Sequence, residues 1–130
     1  MDPSRLRDIP LFAALGARDL EKLGRWSDEI AVPAGTTLSR EGGLATEFFV
    51  ILDGTATVDV DGSETATLGS GDFFGEIGLL VTQGRTATIR ARTPMRPLVV
   101  FGREFRELER TMPIVARRVR EAVAARLARV

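Results

Sequence analysis

One segment of the chain, residues 71–85, combines glycines, an acid and an arginine at spacings that could bind an anion. Gly75 allows a sharp turn, and residues 76–80 can form one helical turn after it. Glu76 would lie in the first turn, where the helix dipole favours a negative side chain. The free backbone N–H groups from Gly75 to Gly78 would then converge as an anion site.

Arg85 closes this segment and supplies a planar fork that matches two phosphate oxygens. One arginine and one helix N-terminus suit a single negative charge, such as that of a cyclic 3′,5′-phosphate. Gly78 has no side chain to obstruct the approach of such a ligand. The carboxylate of Glu76 only accepts hydrogen bonds, so it could accept one from a ribose 2′-hydroxyl. The alternative is that Glu76 and Arg85 simply pair with each other.

The composition narrows the classes of protein to consider. With 130 residues the chain fits one compact domain, and its 18 basic and 18 acidic residues give no net charge. A neutral chain gives no indication of nucleic-acid binding. The absence of cysteine and histidine removes thiolate ligands, the commonest metal ligand and the commonest general base. We therefore expect no metal, no cofactor and no catalysis, and a cupin-like metal enzyme is disfavoured.

No apolar run approaches the roughly 20 residues that span a bilayer. The N-terminus, Met-Asp-Pro-Ser, lacks the basic and apolar regions of a signal peptide. We therefore expect a cytoplasmic protein without a membrane segment.

Charge is segregated along the chain. From Glu41 to Gly84 there is no lysine or arginine, although acidic residues recur throughout that stretch. An anion bound by this part of the chain must therefore be held by Arg85 or by backbone groups. The same bias is also compatible with a plain solvated surface.

The middle of the chain, from Ile30 to about Phe101, alternates between apolar and polar residues with a period typical of strands. Glycines punctuate it at intervals typical of turns, and Asp61-Gly62 is a strong hairpin signal. Many short strands at this spacing indicate a sandwich, jelly roll or barrel. The predicted strands cover residues 48–52, 55–60, 64–68, 86–91 and 98–101.

Helical patterns flank the strands on both sides. The first 26 residues predict short helical pieces, and a second helical region begins at Arg103, where Phe105, Leu108 and Met112 form one apolar row. Pro113 then restarts a helix with an apolar stripe along one side. This stripe favours docking of the helix on its own domain, with a partner surface as the alternative. Its residues are Val115, Val119, Val123 and Leu127.

Residues 73–80 (FFGEIGLL) and 85–91 (RTATIRA) together closely resemble the phosphate-binding cassette of the cyclic nucleotide-binding domain family. That family includes catabolite activator protein, the regulatory subunits of cyclic-nucleotide-dependent protein kinases, and cyclic-nucleotide-gated channels. The resemblance extends over nearly the whole chain, with residues 9–12 similar to the family's first turn and 32–35 to its first barrel turn. Two departures stand out. Residues 43–46 lack the usual Gly-Asp pair, and Gly78 replaces a frequent alanine.

The resemblance implies a fold that is mainly β with flanking α: an antiparallel β-roll (jelly-roll barrel) with N-terminal helices, a short cassette helix and two C-terminal helices. It implies one domain over residues 1–130. Within it we expect an N-terminal helical segment at 1–28, the β-roll at 29–101 with the cassette at 74–87, and hinge and lid helices at 102–130.

The resemblance also implies a role for each candidate site residue. Glu76 would bind the ribose 2′-hydroxyl and Arg85 the phosphate oxygens. Thr86 occupies the position where members that accept cGMP often carry a hydroxyl, although cAMP stays open. Backbone groups of Gly75, Ile77, Gly78 and Ala87 would complete the phosphate site. The walls for the base would be Val58, Ala66, Leu68 and Phe74. Arg126 and Val130 match lid positions.

The expected function is therefore that of a sensor that binds cAMP or cGMP and moves its C-terminal helix to control an effector protein or domain. The alternative is a degenerate member of the family that serves only as an interaction or dimerisation module, with a homodimer formed through the C-terminal helix. The sequence leaves the nucleotide preference, the affinity, the effector and the oligomeric state open.

Overall fold

The computed structural model describes residues 3–40, 47–75 and 87–127. It confirms the predicted fold, an antiparallel β-roll flanked by helices at both ends of the chain. The short helix expected in the cassette lies outside the described residues. The helices are α1 (Pro3–Leu6), a 3₁₀ turn (Pro10–Phe12), α2 (Ala17–Trp26), α3 (Gly102–Thr111) and α4 (Pro113–Leu127).

Within the described residues, eight strands form two four-stranded antiparallel sheets. The first, here called the helix-side sheet, has the order β1-β8-β3-β6, and the second, the hairpin sheet, has the order β2-β7-β4-β5. The strands are β1 (Ser27–Glu29), β2 (Thr37–Ser39), β3 (Glu47–Asp53), β4 (Ala56–Val60), β5 (Ser63–Leu68), β6 (Phe73–Phe74), β7 (Thr88–Ala91) and β8 (Arg96–Phe101).

The helix-side sheet is buried on both faces, and this explains the unbroken apolar run in β3. Phe48 and Val50 point to the helices and join an outer core with Leu98 of β8. Phe49 and Ile51 point the other way, into an inner core between the two sheets. Because successive side chains of a strand alternate between faces, a strand that serves two cores must be apolar at every position.

The C-terminal helices pack as their apolar spacing predicts. Phe105 and Leu108 of α3, and Met112 directly after it, are each at most 1% exposed, which confirms the predicted row. Val115 and Val119 of α4 are equally buried in the outer core, so the first half of the predicted stripe docks on its own domain. The side chains at 123 and 127 lie outside the description. None of the helices in the described part of the chain is long and apolar enough to span a bilayer.

The predicted hairpin at Asp61-Gly62 is confirmed, since it joins β4 to β5 with φ values of +52° and +80°. Both values lie in the left-handed region that a type I′ turn requires. Gly54, which follows β3, also has a positive φ of +98°. A Cβ at Gly54 would stand 2.5 Å from the carbonyl oxygen of Pro94. Only glycine fits there, on grounds of both conformation and space.

We expect Gly54→Ala to destabilise the protein by about 2–5 kcal/mol, because it adds a backbone clash to the strain of a positive φ. The matched control is Gly62→Ala, where φ is also positive but no atom lies within 4 Å of the added Cβ. That variant should lose only about 1 kcal/mol. Urea unfolding of both variants gives the comparison, and equal losses would contradict the clash.

The N-terminal segment is tied to the helix-side sheet by a cluster of three charges. Glu29 receives hydrogen bonds from Arg96 Nε at 2.9 Å and from Arg5 Nη1 at 2.9 Å. The carboxylate side chain is only 15% exposed. The hydrogen bonds from Arg96 and Arg5, with the charges of both guanidinium groups, hold the pKa of Glu29 below its ordinary value of 4.5.

We expect Glu29→Gln to cost about 1–2 kcal/mol of stability at neutral pH. A carboxyl whose pKa is lowered by folding contributes stability above its unfolded pKa, and the contribution is lost as the pH falls through the folded pKa. The stability difference between wild type and variant should therefore stay constant from about pH 7 to pH 5 and shrink below about pH 4. Chemical unfolding across this range is the measurement.

Glu64→Gln serves as the control for this prediction. Glu64 pairs with Arg92 at 2.9 Å, but both side chains are about half exposed, at 51% and 47%. Exposed pairs of this kind contribute little. If Glu29→Gln lost no more stability than Glu64→Gln, the three-charge cluster would not stabilise the fold.

Candidate functional site

The two ends of the predicted cassette pack against the same core inside the roll. Phe74 belongs to β6 of the helix-side sheet, and Ala87 directly precedes β7 of the hairpin sheet. Both pack in the inner core. Residues 76–86 connect these ends along the chain but lie outside the described residues. The candidate residues on that segment are Glu76, Ile77, Gly78, Arg85 and Thr86, whose roles therefore stay predictions.

Gly75 is the last described residue before this segment. Its φ of +95° lies in the left-handed region, which glycine adopts without a steric penalty. The sharp turn predicted at Gly75 is therefore confirmed, and it occurs directly after β6.

The turn formed by residues 69–72, here called the cassette-proximal turn, is fixed to β3 by several hydrogen bonds. The Gly71 N–H donates to the Ile51 carbonyl at 2.8 Å, and the Ile51 N–H donates to the Asp72 carbonyl at 2.8 Å. A carboxylate oxygen of Asp72 accepts from the Gly69 N–H at 2.7 Å and closes the turn. These bonds hold the backbone that leads through β6 to Gly75.

Phe74 is held in place by an aromatic stack. Its ring lies 4.7 Å from that of Phe49, centroid to centroid, with an angle of 14° between the planes. The two residues are also paired across β3 and β6, and Phe74 is 3% exposed. An offset stack of this kind restricts the ring, so Phe74 is a rigid part of the inner core at the start of the predicted cassette.

The other predicted wall residues, Val58, Ala66 and Leu68, lie on β4 and β5 of the hairpin sheet. Val58 is paired with Ala66. Leu68 is paired with Ala56, which lies two residues before Val58 on β4. Directly paired residues share one face of a sheet. Val58 and Leu68 are half-buried against the inner core, whereas Ala66 is exposed. These side chains therefore form an apolar surface of the kind that receives a flat apolar group.

Two further residues pack against the inner core in a way that the sequence did not reveal. Val32 and Leu38 are partly buried and pack against the same inner core. Leu38 belongs to β2, a strand of only three residues, which is too short for alternation to be recognised. The first barrel turn near Pro33 was nevertheless predicted correctly, and a positive φ of +88° at Gly35 accompanies it.

The described part of this site is apolar. Its wall residues carry no titratable side chain, and the described carboxylates with lowered pKa values, Glu29 and Glu107, are paired with arginines elsewhere. Within residues 3–40, 47–75 and 87–127 no cluster of three or more acidic residues could hold a metal ion. Of the predicted lid residues, Arg126 lies in α4 with its side chain not described, and Val130 lies outside the described residues.

Comparison with known proteins identifies the family. The sequence model of the cyclic nucleotide-binding domain matches residues 29–111. A cyclic nucleotide-gated potassium channel of Rhizobium etli is 32% identical over 118 residues, which cover 91% of this chain and 33% of the channel. A cAMP-dependent protein kinase regulatory subunit of Schizosaccharomyces pombe is 31% identical over 94 residues, or 72% of this chain and 23% of that protein.

The fold agrees with these similarities. The crystal structure of the catabolite activator protein of Thermus thermophilus superposes with a TM-score of 0.80 and 26% identity, covering 92% of this chain and 59% of that one. The chain spans about a third of the length of the channel, at 33%, and less of the kinase subunit, at 23%. Sequence match and fold together place this chain in the cyclic nucleotide-binding domain family.

Proposed function

We propose that this chain binds a cyclic nucleotide, cAMP or cGMP, as a regulatory domain of a cytoplasmic signalling protein and catalyses no reaction. The observation that carries the proposal is the convergence of Phe74 and Ala87, which border the predicted cassette, with Val58 and Leu68 in one inner core. A ligand held by the cassette would thus meet an apolar wall on the hairpin sheet. The domain would extend over residues 1–130, with the cassette at 74–87.

The phosphate and the ribose would be bound by the cassette. Arg85 would hold the phosphate oxygens through a bidentate contact, and Glu76 would accept a hydrogen bond from the 2′-hydroxyl. Backbone N–H groups of Gly75, Ile77, Gly78 and Ala87 would complete the anion site. The left-handed turn at Gly75 supports this arrangement because it redirects the backbone where the cassette begins.

The base would lie against the hairpin sheet. Val58, Ala66 and Leu68 offer an apolar surface, and Phe74 limits it on the side of β6. Thr86 would present a hydroxyl that could reach the amino group of a guanine, and cAMP stays open as the ligand. Arg126 and Val130 would cover the base from the C-terminal helix.

The regulatory output would be a movement of α4. This helix docks through Val115 and Val119, while its continuation carries the predicted lid. Ligand binding would shift the population of α4 positions and so change its contacts with an effector. The matched potassium channel and kinase regulatory subunit are consistent with an effector that is a further domain or a separate protein.

Isothermal titration calorimetry with cAMP, cGMP and 5′-AMP tests the proposal. We expect one site for a cyclic nucleotide and about ten- to a hundredfold weaker binding by Arg85→Ala, on the scale of a hydrogen bond to a charged group. The control is Arg90→Ala, since Arg90 is exposed on β7 and its side chain points away from the inner core. No heat from folded wild-type protein at high micromolar nucleotide would overturn the proposal.

The role of Glu76 has its own test with 2′-deoxy-cAMP. Wild type should bind the deoxy nucleotide at least about tenfold more weakly than cAMP, because the carboxylate of Glu76 loses the 2′-hydroxyl that donates to it. Glu76→Ala should bind both nucleotides equally weakly. A variant that still discriminates between them would show that another group reads the 2′-hydroxyl.

The base wall predicts a difference between the two faces of β5. Ala66→Trp should weaken nucleotide binding at least about tenfold by filling the space over the hairpin sheet, a loss of roughly 1.4 kcal/mol. Thr67→Trp, on the opposite face of the same strand, should change the affinity less than about twofold. Both residues are exposed, so thermal unfolding should be little changed. Equal effects of the two substitutions on affinity would exclude this face as the wall.

A further inference from the structure

Pro10 connects two parts of the molecule that are far apart in sequence. Its carbonyl oxygen accepts a 2.6 Å hydrogen bond from Nη1 of Arg118 on α4. Its ring lies against the cassette-proximal turn, where a Cβ on Gly71 would stand only 3.5 Å from Pro10 Cδ. The 3₁₀ turn therefore touches both the C-terminal helix and the backbone that leads to the predicted cassette.

The acceptor for Arg118 is held rigidly. Pro10 begins the 3₁₀ turn, in which the Phe12 N–H donates to the Ile9 carbonyl at 2.9 Å. The proline ring fixes its own φ as well. Leu11 and Phe12 of the same turn are buried in the outer core. The Pro10 carbonyl consequently has a fixed position and direction.

Arg118 adds a directional hydrogen bond to an otherwise apolar contact between α4 and the N-terminal 3₁₀ turn. Val115 and Val119 of α4 pack in the same outer core as Leu11 and Phe12. Apolar contacts constrain the rotation and register of a helix less sharply than a directional bond does, because the hydrophobic effect is not directional. A charge-assisted hydrogen bond to a fixed carbonyl does specify one position of the helix.

We propose that Arg118 is a latch that holds α4 on the N-terminal turn in the free protein and thereby opposes nucleotide binding. The opposition to binding rests on the proposed function, in which α4 moves when the nucleotide binds. The hydrogen bond exists only while α4 is docked, so a ligand that displaces α4 must also break it. Removal of the bond should therefore raise the affinity for the nucleotide. The gain in binding free energy should equal the free energy by which the docked position of α4 is destabilised.

The test compares Arg118→Ala with Arg117→Ala. Arg117 is the neighbouring exposed arginine on α4, and within the described residues its side chain has no hydrogen bond or ion pair. Amide hydrogen exchange of the ligand-free protein should be about two- to tenfold faster at residues 12–15 and 113–121 in Arg118→Ala than in the control. Equal exchange in the two variants would overturn the latch.

Calorimetry with the preferred cyclic nucleotide tests the second part. Arg118→Ala should bind about two- to tenfold more tightly than both wild type and Arg117→Ala. Equal or weaker binding would overturn the claim that the latch opposes the ligand. If wild type binds no cyclic nucleotide, the proposed function fails, and so does the claim that Arg118 opposes nucleotide binding. The hydrogen-exchange measurement would still decide whether Arg118 holds α4 on the N-terminal turn.

Discussion

The pairing of β3 with β8 is the interaction on which the rest of the structure depends. These two strands form the centre of the helix-side sheet, and each contributes alternate side chains to both cores. Phe48 packs 4.9 Å from the ring of Phe105 on the helix side, while its neighbour Phe49 stacks on Phe74 inside the roll. The helices and the candidate site are therefore separated by the thickness of one sheet. Neither core can form without the register of this pair.

The sequence predicted the long elements of the fold and missed the short ones, for physical reasons. β3 and the hairpin of β4 and β5 were recognisable because an apolar run and an Asp-Gly turn are local signals. β1 and β2 have three residues each and are mostly polar, so they become strands only through pairing with β8 and β7. β8 also begins earlier than predicted and includes Pro97, a residue that disfavours strands. The β3–β8 register is irregular between Ile51 and Asp53, near Pro97, and the proline carbonyl still accepts from Ile30 at 3.1 Å.

The candidate site shows a similar division. The sequence identified Gly75 because a glycine requirement is local, and the structure confirms its left-handed backbone. The wall residues could be named only by resemblance to a family, since nothing local distinguishes Val58 or Leu68 from any other apolar strand residue. Leu38 was missed because its position depends on closure of the roll. The cluster of Arg5, Glu29 and Arg96 was missed for the same reason, since its hydrogen bonds join residues 24 and 67 positions apart.

The distribution of charge around the roll bears on which ligand would suit the proposed site. No basic residue occurs from position 41 to 84, and the exposed end of the hairpin carries Asp61 and Glu64. In the described part of the hairpin sheet, Glu64 is balanced by Arg92, which directly follows β7. A nucleotide with several phosphates would bring extra negative charge to this acidic surface, and in the proposed site Arg85 would be the cassette's one basic side chain to offset it. A cyclic monophosphate brings a single charge and presents the rest of its surface as a base and a sugar. In the proposed site, an apolar wall, one arginine and one acid would therefore be proportionate to a monoanionic ring, and the surrounding acids would act against ligands of higher charge.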